Sequence, residues 1–473
     1  MKKQKRVLAL ISALVLMASV TGCSDSSSGS ASETTASTAP KELNEEDKAV
    51  IADIDIGDDE NTEVGTVKWF SFYDINPADN KPKMPALELF ETKFGGKIEY
   101  METVWENRYN DMANLIIAGN APDIYPAQEF DTFPTDAITG KCQAWDDYLD
   151  FNDADLWAGV PGAKQLSDMH TINGKHYVAA VGTYSKCVMI YNKRTIEENG
   201  LDDPAELLAE DNWTWDTFRK MCTDFCSRED DKFAYDWWDF EVQLVGTTGV
   251  VPISMEDGVL VNNLASPEIE RAQDFLYNLK RDDLPFPHRE YGWDVQPSRI
   301  ADGRTLFYPI GTWALWEADL SAYGDQGEIM FVPMPRDPKA DAYYLPSSMD
   351  AYALCKEASN PEGAAAYMKC ILITSNTDET REMTEKQYRE DYGWTDEMID
   401  MMHTVDELTD AHPTTPILFK GAFNKELANI VDDRLKQCTY SETGTEWSVS
   451  REEIYLAVDT EVNEVNAQIQ AGI

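Results

Sequence analysis

The chain has 473 residues, with 86 acidic and only 40 basic side chains, giving a formal charge of −46, and 43% of its residues are hydrophobic. Such a surface lacks the basic footprint that a phosphate backbone requires, which argues against nucleic-acid binding, and it repels polyanionic ligands at long range. The length exceeds what one hydrophobic core usually supports, so two lobes are expected.

The start of the chain reads as an export signal. Lys2, Lys3, Lys5 and Arg6 form a basic patch, an apolar run fills positions 7–20, and Val20-Thr21-Gly22-Cys23 closes it with small residues. The apolar run is short for a membrane span. A cysteine directly after the small residues resembles a bacterial lipobox, which implies a diacylglycerol on Cys23, cleavage before it and anchoring on the outer face of a membrane. An ordinary secretory signal with a chance cysteine is the alternative. Residues 24–62 are rich in Ser, Thr and Ala and then acidic, so they bury too little surface to offset ordering and are expected to form a solvated tether. Of eight cysteines, seven remain besides Cys23, and an odd number argues against a full disulfide framework. Cys222 and Cys226 fall on a helix striped by Trp215, Phe218 and Phe225, with no histidine near to complete a metal set. Buried thiols are the expectation there; neither a metal nor a cofactor is expected.

The body opens with a strand over 66–72, a helix pointing Leu87, Phe90 and Phe94 inward, and a Gly95-Gly96 stop. A second strand covers 97–101. The organising stretch follows over 105–125: a helix with Tyr109, Met112, Leu115 and Ile116 on one face, a glycine stop at Gly119, Pro122, and a buried strand at Asp123-Ile124-Tyr125. This β-α-β-α-β series predicts parallel pairing with right-handed crossovers, and ligands in such sheets settle at the carboxyl ends of the strands. Gln128 and Glu129, just past the third strand, are therefore candidates. Later come a turn and strand through Asn173-Gly174-Lys175-His176-Tyr177, a strand ending Tyr191-Asn192-Lys193, and a helix opening at Trp213-Thr214-Trp215-Asp216. Asn360 and Pro361 suit the start of a late helix, and the last helix is expected to open with Ser450 and Glu453 in capping-box spacing. Its Ile454, Val458, Val462, Val465 and Ile469 keep helical period and should pack on a lobe.

In their shared order, these motifs resemble the extracellular solute-binding proteins of carbohydrate ABC importers, the maltose-binding-protein-like family. Gly303-Arg304-Thr305-Leu306-Phe307 leading to Gly311-Thr312-Trp313, Phe331-Val332-Pro333, and the strand from Asp350 continue the likeness, which covers nearly all of the body. The resemblance implies an α/β, two-lobe, type II periplasmic-binding-protein fold with parallel-rich sheets flanked by helices and a hinge of crossing strands. It divides the chain into signal (1–22), tether (23–62), a first lobe of 63–181 with 331–372, and a second of 182–330 with 373–473. It implies a small-molecule carbohydrate as ligand, ABC permease subunits as partners, a membrane attachment through lipid, and a monomer.

Sugars offer C–H faces that pack on aromatic rings and hydroxyls that need fixed polar groups, so platforms and carboxylates are the residues to seek. Trp313, after a strand end, is either a ring at the cleft mouth or a core tryptophan; Trp316 is the core member of that pair. Trp237 and Trp238 sit in an aromatic–acid alternation where the family stacks ligand in its second lobe, one expected in the cleft and one packed. Tyr184 reads as a ligand contact from the hinge or as hinge packing. Trp69 and Tyr73 flank the end of the first strand and are both ligand candidates, Trp69 with strand core as its alternative and Tyr73, on its loop, freer to reach ligand; Asp350, entering a late strand, is a further candidate. The family places a charged pair where this chain has Gln128-Glu129, and Asp123 is expected to hold turn amides instead of ligand. Two other readings fit the compartment: the same fold binding a cationic ligand such as a polyamine, and a lipid-anchored glycoside hydrolase with its carboxylate pair hidden among the acids.

Overall fold

The computed structural model describes residues 43–56, 63–77, 83–128, 130–227, 231–236, 239–287, 296–315, 320–325, 327–414 and 418–471. Cys23, Glu129, Trp237, Trp238 and Trp316 lie outside the described residues.

Two sheets organise the chain. The first contains β1 (Thr66–Ser71), β2 (Lys97–Glu102), β3 (Ile124–Pro126), β4 (Cys142–Gln143) and β5 (Ala179–Ser185). The second is built from β6 (Cys187–Asn192), β7 (Phe233–Tyr235), β8 (Thr305–Gly311) and β9 (Ile329–Pro333). The chain then returns to the first sheet through β10 (Leu345–Cys355) and β11 (Pro413–Thr414). β1 runs parallel to β2 and β3, as the crossover pattern predicts, while β10 is antiparallel to β3 on one edge and to β4 and β5 on the other. In the second sheet β8 is parallel to β7, and β6 runs antiparallel to both β8 and β9.

Helices cover these sheets. α1 (Pro85–Phe94) and α5 (Pro361–Ser375) pack together against the first sheet, bringing Phe90 and Tyr367 edge to face at 5.3 Å. Between them in sequence come α2 (Arg108–Ile117), α3 (Pro161–Met169) and α4 (Trp215–Cys226). After α5 the chain forms α6 (Asp378–Asp391), α7 (Asp396–Ala411), α8 (Lys425–Tyr440) and α9 (Trp447–Ala471). Gly119 ends α2 at φ +69°, a left-handed position that costs glycine least. The stripe from Ile454 to Ile469 is buried as its spacing demands, but α9 begins at Trp447, so Ser450 lies inside the helix and does not cap it.

Asp123 performs the structural work expected of it. One carboxyl oxygen accepts the Lys68 amide of β1 at 2.8 Å; the other accepts the Ser359 and Asn360 amides at 2.6 and 2.8 Å. A fully buried carboxylate thereby joins the neighbouring strand to the start of α5, where Asn360 caps the helix as predicted.

The tether expected over 23–62 ends earlier than that, because residues 45–53 form a helix capped by Asn44 whose Ile51 is fully buried. The boundaries expected at 182 and 331 shift too, because hydrogen bonding decides which sheet a residue joins. Gly182 to Ser185 still pair with β10 in the first sheet, and Phe331 to Pro333 pair with β6 in the second. The crossing falls at Lys186: its amide donates to Pro346 of β10 at 2.7 Å, and its carbonyl accepts the Thr312 amide at the end of β8 at 3.2 Å. A later strand, β11, meets the same junction, where Thr414 donates from its amide to Ser347 Oγ at 3.0 Å. The segment after 373 does not all go to the second sheet either. Asp410 at the end of α7 accepts the Gly162 amide of α3 at 2.8 Å and the Thr183 hydroxyl of β5 at 3.0 Å.

Candidate functional site

The carboxyl ends of β1, β2 and β3 converge on an aromatic shelf. Phe72 follows β1, Trp105 follows β2, and Phe130 follows β3. Arg108, buried at the first turn of α2, organises them: its guanidinium lies 3.7 Å from the centroid of the Trp105 ring and 4.2 Å from that of Tyr109. It donates to the Trp105 carbonyl at 2.5 Å and to the Tyr109 hydroxyl at 2.7 Å, and Tyr109 in turn donates to Asp131 at 2.5 Å. Phe72 meets Trp105 edge to face at 5.1 Å. Burial and the Asp131 carboxylate push the Tyr109 hydroxyl well above its ordinary range, so it stays a protonated donor. Trp105 is 37% exposed and Tyr109 41%, which leaves two fixed rings open to solvent. Neither was singled out by sequence. The helical period that placed Tyr109 with Met112 on an inward face holds for Met112, which is buried, but at the first turn of α2 that face opens onto the strand ends.

Several candidates meet at the junction of the sheets. Tyr184 pairs with Ser348 across β5 and β10, and Gly182 with Asp350. Gln128 was expected to meet ligand, but its amide instead spans the edge of β10: the Met349 amide donates to its Oε1 at 3.0 Å, and its Nε2 donates to Ser348 Oγ. Those bonds satisfy a buried side chain inside the scaffold, so Gln128 is a clamp between β3 and β10. Trp69, a ligand candidate by its place at the strand end, is core instead: fully buried, it donates from Nε1 to the Tyr73 carbonyl at 2.9 Å and packs against the Tyr73 and Tyr352 rings at 5.4 Å each. Tyr73 is half-buried on its loop, between Trp69 and Phe72.

Trp313 follows the Thr312 that bonds the crossing residue Lys186, and its ring is partly buried against the core. The indole folds back over Gly311, where an added Cβ would meet Nε1 at 2.2 Å, so only glycine admits this pose. Both Trp313 Nε1 and the neighbouring Thr312 hydroxyl are buried without a hydrogen-bond partner among the described residues, at the hinge end of the second sheet.

A cavity of about 750 Å³ lies beside this junction, between the crossing strands and helices α5, α6 and α7. Tyr184 and Asp350 line it together with Glu385, His403, Asp406 and Asp410. Desolvation raises the Asp350 carboxyl to about 7, and desolvation with the Asp410 and Glu407 charges does the same to Asp406. His403 is paired with Glu385 at 2.9 Å. Among the described residues, no group of three or more His, Cys, Asp or Glu is arranged to hold a metal ion.

A family model for bacterial extracellular solute-binding proteins matches residues 86–406, more than half of the sequence. The chain belongs to that family. The fold is shared with solved structures at low identity. The galacto-N-biose/lacto-N-biose I-binding protein of a Bifidobacterium longum ABC transporter, solved with lacto-N-biose, has a TM-score of 0.59 at 15% identity, over 85% of this chain and 98% of that one. An ABC substrate-binding protein from Listeria monocytogenes, solved with cycloalternan, has a TM-score of 0.57 at 16% identity, over 85% and 100% of the respective chains. A cyclic α-maltosyl-1,6-maltose binding protein from Arthrobacter globiformis reaches 0.55 at 15% identity, over 87% of this chain and 100% of that one. No curated protein sequence matches. As a member of an extracellular solute-binding family, this protein works outside the cytoplasm.

Proposed function

We propose that this solute-binding protein captures a neutral sugar or oligosaccharide between its two lobes and delivers it to the permease of an ABC importer, tethered to the outer face of the membrane by lipid on Cys23. The observation that carries the reading is the Phe72–Trp105–Tyr109 shelf at the strand ends, held rigid by Arg108 and Asp131. Flat rings pack against the C–H faces of a pyranose, and immobilising them beforehand lowers the ordering cost of binding. The three neighbours named above are all proteins whose names or bound ligands are saccharides, which supports the same class of cargo.

On this reading Trp313 and its Thr312 neighbour contribute from the second lobe, Tyr184 and Asp350 from the hinge, and Tyr73, Glu129, Trp237 and Trp238 complete the cleft. Ligand touching both lobes shifts the population toward a closed form, which docks on the permease as a monomer. Calorimetric titration with a panel of disaccharides and cyclic or linear oligosaccharides tests the claim, with scattering measured at saturation. Stoichiometric binding with a smaller radius of gyration is expected. Turnover of the sugar, or binding with an unchanged radius, overturns it.

A further inference from the structure

Seven cysteines fall among the described residues, and two of them are opposed across a strand pair. β4 and β10 run antiparallel with Cys142 directly opposite Cys355. The hydrogen bonding places this pair at a particular kind of site. The Lys356 amide donates to the Lys141 carbonyl at 2.8 Å, whereas the Cys355 amide turns to the opposite edge of β10 and donates to Asp123 at 2.9 Å. Cys142 and Cys355 therefore occupy a non-hydrogen-bonded position, where opposed Cα atoms come to about 4.5 Å and side chains leave the same face at closest approach. A disulfide accepts Cα separations of about 4.4–6.8 Å, so the backbone is already within range.

The other thiols are placed differently. Cys222 and Cys226 are one turn apart on α4, and Cys187, Cys370 and Cys438 belong to β6, α5 and α8. Only one pair of strand-borne cysteines is in cross-strand register among the described residues. Both members are buried, and the Tyr125 hydroxyl is hydrogen-bonded to the Cys142 sulfur beside them. The protein also works outside the cytoplasm, where disulfides persist.

We propose that Cys142 and Cys355 form a cross-strand redox pair that closes to a disulfide, stapling β4 to β10 in the first lobe. The oxidant is a disulfide, either a small-molecule one or that of an exported thiol oxidoreductase. One cysteine thiolate attacks it, displacing a thiolate and forming a mixed disulfide. The second cysteine thiolate then attacks the protein-side sulfur and expels the remaining thiolate. Two thiols and one disulfide become one disulfide and two thiols, and the two cysteine protons end on the departing sulfurs. Burial and the nearby Asp136 carboxylate hold the Cys142 thiol well above its ordinary value, so exchange is slow in the folded protein and favoured during folding.

The bond would enclose β5 of the first sheet, β6 through β9 of the second, and the strand crossings at 186 and 334–344. A loop this long restricts the unfolded chain strongly, in the entropic model.

The test refolds the full chain from denaturant in a buffer of reduced and oxidised glutathione, then unfolds it in an alkylating agent and maps the peptides by mass spectrometry. A Cys142–Cys355 peptide with two fewer alkylated thiols is expected, together with a melting temperature about 5 °C or more above that of the reduced protein. Cys355→Ser should abolish the peptide and the shift, while Cys222→Ser should keep both. Because Cys355→Ser could weaken folding by itself, the wild-type peptide map decides. Full alkylation of both cysteines after oxidative refolding, or a disulfide joining any other pair, overturns the proposal.

Discussion

The aromatic shelf and the hinge cavity treat charge in opposite ways. At the shelf, Arg108 is balanced by the Tyr109–Asp131 chain and covered by two rings, so the charges serve to fix geometry. In the cavity, Asp350 and Asp406 face a hollow with no cation paired to either among the described residues, and desolvation raises both toward neutral pH. A surface meant to receive ligand gains from rigid, satisfied groups. The carboxyls gathered in the cavity instead change protonation near neutral pH.

Both regions depend on the strand framework below them, and the largest expected effect breaks that framework. Asp123→Ala leaves the Lys68, Ser359 and Asn360 amides without their acceptor and should cost about 4 kcal/mol in denaturant unfolding, with sugar binding intact in the fraction that folds. A loss under about 1 kcal/mol would show that water replaces the carboxylate there. Next, Trp105→Ala removes an exposed ring, so melting should hardly change while affinity for the best sugar falls by roughly thirtyfold, or about 2 kcal/mol. Unchanged affinity would move the ligand away from the shelf.

The smallest effect sharpens the contrast through pH. Asp350 has a folded value raised to about 7 from an ordinary 3.8, so its protonated form favours folding. Its contribution is complete below the unfolded value and is lost as pH rises through the folded one. Wild-type melting should therefore decline between pH 4 and 7 in the part due to this group, and Asp350→Asn should flatten that decline and gain about 1 kcal/mol at pH 8. Identical slopes in the two proteins would remove Asp350 from the account.

What the sequence revealed followed the range of each interaction. Local signals were readable: the Gly119 stop, the Asn360 cap, and the alternation of strands and helices that forces β1, β2 and β3 parallel. Asp123 was legible because an aspartate beside a short strand and a proline commonly holds turn amides. Gln128 looked like a ligand group for the same positional reason, yet its partners, Ser348 and Met349, lie 220 and 221 residues further on. Trp105 and Tyr109 were hidden by periodicity, which reports one helix face without saying what stands opposite it. The acids of α6 and α7 gave no signal either, since their meeting with Asp350 depends on how three helices close over the crossing strands.

Lys186 holds one half of the molecule by its N–H and the other by its C=O. A rotation of the lobes must then be taken up by the φ and ψ of this peptide pair, or by rupture of one of the two bonds. Proline at 186 would delete the donor to Pro346 and freeze φ, leaving a protein able to hold its cargo in whichever posture it folded but slow to change it.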